Sequence, residues 1–391
     1  MRPHPTPRLM KIDKGQLNVI HAISQGLMQR NSRPTKNASN RRSTIIISVA
    51  KDDAITHDGA YAAARLPSWN TSINENRRGP APKSVDCIFA INGRIRGLYK
   101  THALLKAKMD CTPFTDKAIL HQNMMKIAPH TIAATVEVGS ATILPPGAVW
   151  ILRANWGSSG KLSAVVSTNE ELRETYASFS TTSGNIPRGI RPVILGSEYI
   201  RDPMLWRGFK FHTRVICIVV VHRSGRRYAA MLPSVKMILS GAPYVDGDYG
   251  NVEIHDSHFR RNALRGYLPG SITDDDVAAM GFTGQELHDK IHSCLQDSIK
   301  PLLPSLTLYP KEEVELAGYN IVGADVMFRS DGTPILIEVN DSPSINERVP
   351  GAPTTLYQEC IDAVFATVFH DIFHTTLTPR ESALKKEMRF L

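Results

Sequence analysis

Apolar residues recur along this chain with two different periods, and the two periods predict a mixture of strands and helices. Apolar runs bounded by turn residues predict strands within residues 42–53, 84–94, 147–168 (two strands joined by a glycine-rich loop), 193–200 and 209–221. Helical periodicity with capping residues predicts helices within residues 112–128, 168–179, 274–303 (broken at Gly281) and 354–373. Antiparallel strand pairs mixed with helices indicate an α+β protein rather than a doubly wound sheet.

The residues on either side of Asp331-Gly332 predict a β-hairpin. Both flanks are apolar and strand-like, and Asp-Gly between such runs is a strong signal for a two-residue turn. In that register the cross-strand neighbours would be Phe328 with Ile335, Asp325 with Glu338, and Gly323 with Asn340.

Glu338 and Asn340 lie two positions apart in this hairpin, so their side chains point to the same face. An unpaired buried carboxylate is costly, and two carboxylates directly opposite each other repel. A divalent cation between Asp325 and Glu338 would replace this repulsion by attraction to the cation, and such hard oxygen ligands suit Mg²⁺. A longer turn, a different register and an arginine partner for Glu338 form the alternative, and the hairpin pattern leaves both open.

A cluster of basic residues opens the strand at 209–221. Lys210, His212 and Arg214 alternate and therefore share one face, which continues with the apolar Ile216 and Ile218. Adjacent cations repel each other unless an anion lies among them, and this predicts a polyphosphate ligand. The alternative is a solvated edge strand on which lysine and arginine prevent aggregation.

The sequence from Gly157 to Lys161, GSSGK, invites comparison with a phosphate-binding loop. Asn155 stands where the Walker pattern needs its first glycine, and Leu162 stands where a hydroxyl should bind Mg²⁺. The loop also joins a strand to a strand, so we reject the Walker interpretation. A glycine-rich hairpin can still hold anions through its backbone N–H groups.

Composition narrows the class of protein. The 391 residues can bury a large core in two or three lobes, and 42% hydrophobic with 21% charged residues is ordinary for a globular protein. No apolar run approaches the roughly 18 residues that span a membrane. The five cysteines are widely spaced without a CxxC pair, which signals neither a zinc site nor a disulfide framework and suits a reducing compartment.

The net charge of +9 is concentrated at the N-terminus. Residues 1–50 hold nine Lys or Arg and a single acid, Asp13. Apolar residues recur there at nearly helical spacing before a basic, Ser- and Asn-rich stretch. An organelle transit peptide would have this composition; a peripheral helix followed by a solvated tail would also have it, and we favour the second interpretation. The remainder of the chain is nearly neutral, so the charge says little about its chemistry.

Three segments together resemble the tubulin-tyrosine ligase family of the ATP-grasp superfamily. The most specific is GADVMFRSDGTPILIEVNDSPSI, similar to the family pattern G-x-D-x-M followed by P-W-L-L-E-V-N-x-x-P-S-L. WILRANWGSSGKLSAVVS resembles the W-I-V-K-P strand and its lid loop. SEYIRDPMLWRGFKFHTRVICIVV resembles the block Q-x-Y-I, P-L-L, G-x-K-F-D-L-R-x-Y-V-L-V. The resemblance extends over residues 112–373.

This resemblance implies an ATP-grasp fold and an activity. The expected parts are a basic arm, partly flexible (1–41), an N-terminal α/β lobe (42–135), a central lobe that carries the lid (136–208), a C-terminal antiparallel-sheet lobe with the metal site (209–376) and a basic tail (377–391). The implied activity is an ATP- and Mg²⁺-dependent carboxylate–amine ligase that adds an amino acid to a protein through an acyl phosphate.

The resemblance also implies roles for particular residues. Mg²⁺ would be held by Asp325, Glu338 and Asn340; the catalytic residues would be Lys210 and Arg214; ATP would be contacted by Arg153, Lys161, Glu198, Tyr199, Ile200, Lys210 and His212.

The chain departs from the family pattern at two of these positions and at one further position. Arg153 replaces a lysine, His212 replaces an aspartate, and a basic residue of the following strand falls at Tyr228. The departures leave open an altered ATP-grasp protein that binds nucleotide or tubulin without ligase activity. Expected partners are a free amino acid and a protein substrate, tubulin or another acidic protein, with no nucleic acid and no membrane span. The expected location is the cytoplasm, in association with the cytoskeleton, and a transit peptide is not excluded.

Overall fold

The computed structural model describes residues 44–48, 65–66, 70–74, 84–89, 102–107, 109–155, 162–182, 191–255, 270–271, 273–308, 310, 313–343, 345 and 356–391. The predicted basic arm at 1–41 and Lys161 lie outside these residues. Within the described part of the chain, no helix is both long enough and apolar enough to cross a membrane.

The strands are, in chain order, β1 (Thr44–Ser48), β2 (Asn70–Asn74), β3 (Ser84–Phe89), β4 (His102–Ala107), β5 (Thr135–Val138), β6 (Trp150–Ala154), β7 (Ser163–Val166), β8 (Ile194–Glu198), β9 (Leu205–Trp206), β10 (Phe209–His222), β11 (Arg227–Pro243), β12 (Gly270–Ser271), β13 (Val314–Phe328), β14 (Pro334–Asn340) and β15 (Arg389–Phe390). The α-helices are α1 (Thr112–Thr115), α2 (Lys117–Ile127), α3 (Asn169–Thr181), α4 (Val252–His255), α5 (Asp274–Ala279), α6 (Gly284–Ser298), α7 (Leu356–Val364), α8 (His370–Phe373) and α9 (Pro379–Glu387). A π-helical segment, Phe365–Phe369, joins α7 to α8.

The strands form two sheets. The large sheet has 11 strands in the order β12-β11-β10-β13-β4-β3-β1-β2, with β14 paired to β13, β15 to β11 and β9 to β10. Its first four strands in the chain pair in parallel, whereas β10, β11, β13 and β14 pair antiparallel. The small sheet has four antiparallel strands in the order β5-β8-β6-β7. This confirms the predicted α+β class and agrees with an ATP-grasp fold.

Apolar side chains cover both faces of the large sheet. Alternation along β10 sends Ile216 to one face, where it belongs to a buried cluster with Phe365 of the π-helical segment. The same alternation sends Val219 to the opposite face, in a cluster with Ile291 of α6. Arg214 projects from the face of Ile216, two positions earlier. One face of this strand is therefore polar at its start and apolar afterwards, as its sequence predicts.

The helix ends follow from capping residues. Asp116 accepts two backbone N–H groups at the start of α2, which ends before Pro129. Thr168 and Glu171 form the predicted capping box of α3. The predicted break between α5 and α6 is confirmed at Gly281, whose φ of +79° is accessible chiefly to glycine.

The hairpin of β13 and β14 differs from its prediction in the turn. Gly332 has a φ of +81°, and Arg329 closes a three-residue turn because its N–H donates to the carbonyl of Thr333. Phe328 consequently pairs with Pro334 rather than with Ile335, so that part of the predicted register is wrong.

An irregularity between Asp325 and Val326 in the same pairing restores the predicted register beyond it. Asp325 therefore faces Glu338, and Gly323 faces Asn340, as predicted. The extra residue of the turn and the bulge near Ile337 compensate each other.

Strands from the predicted N-terminal and C-terminal lobes share the large sheet, because β4 pairs directly with β13. The predicted central lobe contains the small sheet. The lobe boundaries themselves stay predictions. Within the predicted basic tail, Pro379–Glu387 forms α9 and Arg389–Phe390 adds a strand beside β11.

Candidate functional site

Four charged residues lie side by side across four neighbouring strands of the large sheet. Lys236 on β11 is paired with Arg214 on β10, Arg214 with Asp325 on β13, and Asp325 with Glu338 on β14. Directly paired residues project from the same side of a sheet. These four residues, which we call the charged row, therefore run from two cations to two carboxylates.

A bidentate ion pair forms the centre of the charged row. Arg214 donates from Nε to Oδ1 of Asp325 over 2.8 Å and from Nη2 to Oδ2 over 2.7 Å. Nε2 of His212 lies 3.7 Å from Oδ2 of the same carboxylate. Burial lowers the pKa of His212, and the Asp325 carboxylate only partly opposes this effect. Asp325 therefore balances part of the basic cluster of β10.

Asn340 joins the two carboxylates of the charged row. Its Nδ2 donates to Asp325 over 3.3 Å and to Glu338 over 3.1 Å. Glu338 also faces Lys117 of α2, whose Nζ is 3.4 Å from Oε2. Burial raises the pKa of Glu338, but Lys117 and Arg153 outweigh it and bring the pKa to about 2. Glu338 is therefore ionised at neutral pH.

Arg153 brings the small sheet to the charged row. It lies on β6, donates from Nη1 to the carbonyl of Ile337 over 3.4 Å, and places Nη2 3.1 Å from Nε2 of His121. Burial, followed by the Arg153 charge, lowers the pKa of His121 to about 3, so a neutral imidazole can accept from the guanidinium. Nε of Arg153 is buried with no hydrogen-bond partner among the described residues. This donor is suited to an anion.

Lys210 is buried, with 8% of its surface exposed, and its neighbours are not acidic. Its Nζ donates to Oη of Tyr199 over 3.2 Å and lies 4.3 Å from the centroid of that ring. Oη of Tyr199 is in turn 2.9 Å from Nδ1 of His255. Among the residues that the structure describes, no carboxylate forms a salt bridge with Lys210. Burial alone lowers the pKa of Lys210 to about 7.

The predicted linker Glu198–Ile200 joins the small sheet to the large one. Backbone N–H groups of Glu198 and Tyr199 donate to carbonyls next to the small sheet, and the Glu198 side chain is exposed. Ile200 is buried in a small apolar cluster with Met327 and Ile335 of the hairpin. The linker thus has an apolar side chain and a backbone anchored at the junction of the sheets.

Gly323 makes a close approach possible at the end of β14. A Cβ atom at this position would lie 2.7 Å from Cβ of Pro343 and 3.4 Å from Cδ of Arg214. Any larger side chain would therefore displace the segment that follows Asn340. This contact accounts for glycine opposite Asn340.

The structure brings six of the predicted site residues together: Arg153, His212, Arg214, Asp325, Glu338 and Asn340. Lys210 lies four positions before Arg214 on β10, against Tyr199. Lys161 lies outside the described residues. Tyr228 lies apart from them, because its Oη donates to Asp371 over 3.1 Å.

Sequence reasoning missed three charged or titratable residues of the site: Lys117, His121 and Lys236. Lys236 interrupts the apolar run SVKMIL, and this signal could have identified it. Lys117 and His121 are four residues apart and share a helix face. Nothing in the helix sequence indicates that this face meets β14.

The donor set at the carboxylate end of the charged row consists of two carboxylates and one amide. Asp325, Glu338 and Asn340 offer oxygen atoms of the kind that Mg²⁺ prefers. No group of three or more His, Cys, Asp or Glu side chains in the described residues could hold a metal ion. Any metal bound by these residues would therefore depend on Asn340 or on oxygen atoms of a ligand.

Part of the chain that contains this site is similar to a known protein family. Residues 282–380 match the model of TTL, the tubulin-tyrosine ligase family. This part of the chain is similar to the tubulin-tyrosine ligase family. The matched segment contains β13 and β14, and with them Asp325, Glu338 and Asn340. Lys210 and Arg153 lie outside it. The match supports ligase activity of the ATP-grasp type in general terms, and members of that family act on protein substrates.

Proposed function

We propose that the protein is an ATP- and Mg²⁺-dependent carboxylate–amine ligase that adds an amino acid to a protein. The charged row is the observation that carries this proposal. The row consists of cations and carboxylate oxygens in adjacent strands, which is the combination that a triphosphate and its metal ion would require.

Lys210 and Arg153 are the proposed phosphate contacts. Lys210 is buried and Arg153 is half-buried, and neither has a salt bridge to a carboxylate among the described residues. Ionised phosphate oxygens would restore the charge that burial disfavours at Lys210. Lys161 is proposed to reach the phosphates from the lid loop, and His212 to contact the ribose or the substrate.

Arg214 and Lys236 are proposed to orient the reacting groups. They face each other on neighbouring strands, on the same face of the sheet as Asp325 and Glu338. Arginine can bind two oxygen atoms of one anion at once, so Arg214 suits either a phosphate or the substrate carboxylate. Exchange of Asp325 for such an anion would leave Asp325 available as a metal ligand.

Asp325, Glu338 and Asn340 fit Mg²⁺ by the chemistry of their donor atoms. Mg²⁺ would need the amide oxygen of Asn340, whereas the hydrogen bonds to Asp325 and Glu338 use its nitrogen. A half-turn of the amide would exchange the two atoms. When bound, Mg²⁺ would neutralise phosphate charge.

The adenine is proposed to lie against the linker Glu198–Ile200. Ile200 supplies an apolar surface, and the linker backbone supplies polar groups next to it. Adenine pockets combine these two features because the base is flat, apolar on its faces and polar at its edge.

The proposed reaction has two steps. The γ-phosphoryl group of ATP passes to an oxygen of the substrate carboxylate, and ADP leaves. The neutral amino group of the second substrate then attacks the acyl carbon, phosphate leaves with the electron pair of the broken C–O bond, and the proton lost by the nitrogen passes to the phosphate or to water. Positioning of anionic groups by Lys210, Arg153 and Arg214 would supply most of the acceleration.

The proposed partners are a free amino acid and a protein acceptor, tubulin or another acidic protein, in the cytoplasm. A cavity of about 330 Å³, lined by Asp110, Thr115, Asn320 and Asp341 among other residues, lies beside β13. Asn320 projects from the face of the large sheet opposite Asp325, so this cavity is not assigned to the amino group.

A second candidate is a nucleotide-binding or tubulin-binding protein of the same fold without ligase activity. One observation favours it: both proposed metal-binding carboxylates are already paired with cations, Asp325 with Arg214 and Glu338 with Lys117. A site neutralised in this way could bind nucleotide without the metal ion.

Incubation of the protein with ATP, Mg²⁺, isotope-labelled amino acids and acidic acceptor proteins separates these candidates. Ligase activity predicts added mass on the acceptor, dependent on ATP and on Glu338. Nucleotide binding without added mass for any acceptor would favour the second candidate. Absence of nucleotide binding would contradict the ligase and the nucleotide-binding form of the second candidate.

A further inference from the structure

Strand β11 contains an insertion immediately before Lys236. The regular pairing of β11 with β10 stops where Met231 faces Cys217, and it resumes where Val235 faces Val215. Three residues of β11, Leu232, Pro233 and Ser234, thus oppose the single residue Ile216. Such a bulge leaves backbone groups outside the ladder, and Pro233 has no N–H to donate.

The insertion determines which residue enters the charged row. Had the ladder continued from Cys217 and Met231 without interruption, Arg214 would face Ser234. The bulge shifts the pairing by two positions and brings Lys236 there instead. A shift of two keeps every side chain on its face, so it exchanges a neutral residue for a cation without inverting the strand.

Glu359 of α7 holds this bulge. The N–H of Ser234 donates to its Oε1 over 3.2 Å, and the hydroxyl of Ser234 donates to its Oε2. One carboxylate therefore receives both donors of the residue that the bulge removes from the ladder. Glu359 is otherwise remote from the residues of the charged row in sequence.

The surroundings of Glu359 distinguish it from other buried acids of this region. Asp362, on the same helix, is paired with Arg380 at 2.6 Å, and Glu381 is paired with Arg65 at 2.6 Å. Glu359 is 7% exposed and has no salt bridge among the described residues. A buried acid without a cation is costly unless hydrogen bonds compensate, and here Ser234 supplies them.

We infer that Glu359 is a positioning residue for the nucleotide site: it fixes the β11 bulge and thereby holds Lys236 opposite Arg214. The inference rests on the proposed function, because the phosphate-binding role of the charged row gives Lys236 its importance. The Glu359 carboxylate accepts its hydrogen bonds from Ser234, so it acts on Lys236 through Ser234.

Nucleotide affinity of Glu359→Gln, Ser234→Ala and Asp362→Asn tests this inference. An amide in place of the carboxylate presents a donor to one of the two Ser234 donors, and we expect Kd for ATP to rise about tenfold. Ser234→Ala keeps the N–H bond and should raise Kd by about threefold. Asp362→Asn is the matched control, a buried acid of the same helix, and should lower the melting temperature without changing Kd.

A double-mutant cycle with Lys236→Ala shows whether Glu359 acts through Lys236. If it does, Glu359→Gln should add almost nothing to the loss of affinity caused by Lys236→Ala. Additive losses, or equal losses of affinity in Glu359→Gln and Asp362→Asn, would overturn the inference. Should Glu359→Gln fail to fold, the same cycle is run with Ser234→Ala.

Amide hydrogen exchange at Ser234 and Lys236 provides a readout that does not need nucleotide. Glu359→Gln should accelerate exchange at both amides, and Asp362→Asn should not. Unchanged hydrogen exchange at these two amides in Glu359→Gln would show that Glu359 does not fix the bulge. Failure of the wild-type protein to bind ATP would instead refute the proposed function, while exchange would still decide whether Glu359 fixes the bulge.

Discussion

Two basic residues of β10 differ in how their positive charge is balanced. Arg214 is held by both oxygens of Asp325, so its charge is balanced within the protein. Lys210, four residues earlier, has a tyrosine ring and hydroxyl as neighbours and a pKa of about 7. The comparison indicates that one region is complete in the free protein and must rearrange to act. The other is incomplete and is stabilised when an anion binds.

Glu338→Gln tests the complete region most strongly. The substitution keeps the volume and removes the charge, so we expect Mg²⁺-dependent ATP turnover to fall by about 100- to 1000-fold while the protein stays folded. Turnover at saturating Mg²⁺ and thermal melting are the measurements, with the exposed Glu137→Gln as control. Wild-type turnover would rule out the metal assignment, and loss of the fold would assign Glu338 to a structural ion pair.

Asp325→Asn should destabilise the protein because it leaves a buried guanidinium without its carboxylate. Removal of one partner from a buried ion pair costs about 3 kcal/mol or more of unfolding free energy. Asp202→Asn, which removes a half-exposed partner of Arg329, should cost less than about 1 kcal/mol. Denaturant unfolding of both variants makes the measurement; similar losses would mean that the Arg214 pair is not specially buried.

Lys210→Met should produce opposite effects on stability and on binding. Removal of a buried cation without an acidic partner should raise the unfolding free energy by about 1 kcal/mol. The loss of a charged hydrogen bond to phosphate should weaken ATP binding by about 30-fold. Melting curves and calorimetric titration give the two quantities, and a variant that is less stable yet binds normally would contradict the comparison.

Nucleotide affinity should also depend on pH through Lys210. In the free protein this amine loses its proton above about pH 7, whereas a bound triphosphate would keep it protonated. Binding then takes up a proton, so affinity should fall as pH rises from about 7.5 to 9.5, by at most about tenfold per pH unit. The slope should be absent in Lys210→Met. A slope shared by both proteins would assign the effect to another group.

The hairpin illustrates how far the sequence determines the site. The register of a two-residue turn predicted that Asp325 faces Glu338, and this pair is confirmed although the turn is one residue longer than expected. The prediction survived because the bulge near Ile337 cancels the longer turn, and neither irregularity has a strong sequence signal. Local periodicity therefore identified the carboxylates but not the path of the chain between them.

Lys236 and Lys117 show why the remainder could not be predicted. Lys236 joins the charged row only because Glu359, more than a hundred residues later, holds a bulge in β11. Lys117 approaches Glu338 because α2 packs beside β14. Both placements depend on contacts between distant parts of the chain, whereas sequence periods report only local geometry.

The pairing of β4 with β13 has a mechanical consequence. Strand β13 carries Asp325 and is hydrogen-bonded to β4, one of the parallel strands. Motion of Asp325 relative to the parallel strands would therefore require breaking the hydrogen bonds of β13. The small sheet contacts the site through the hydrogen bond from Arg153 to Ile337, whereas Ile132, three residues before β5, already forms a bridge with Leu336 of the large sheet. Admission and release of substrates should therefore move the small sheet, while the large sheet stays stationary.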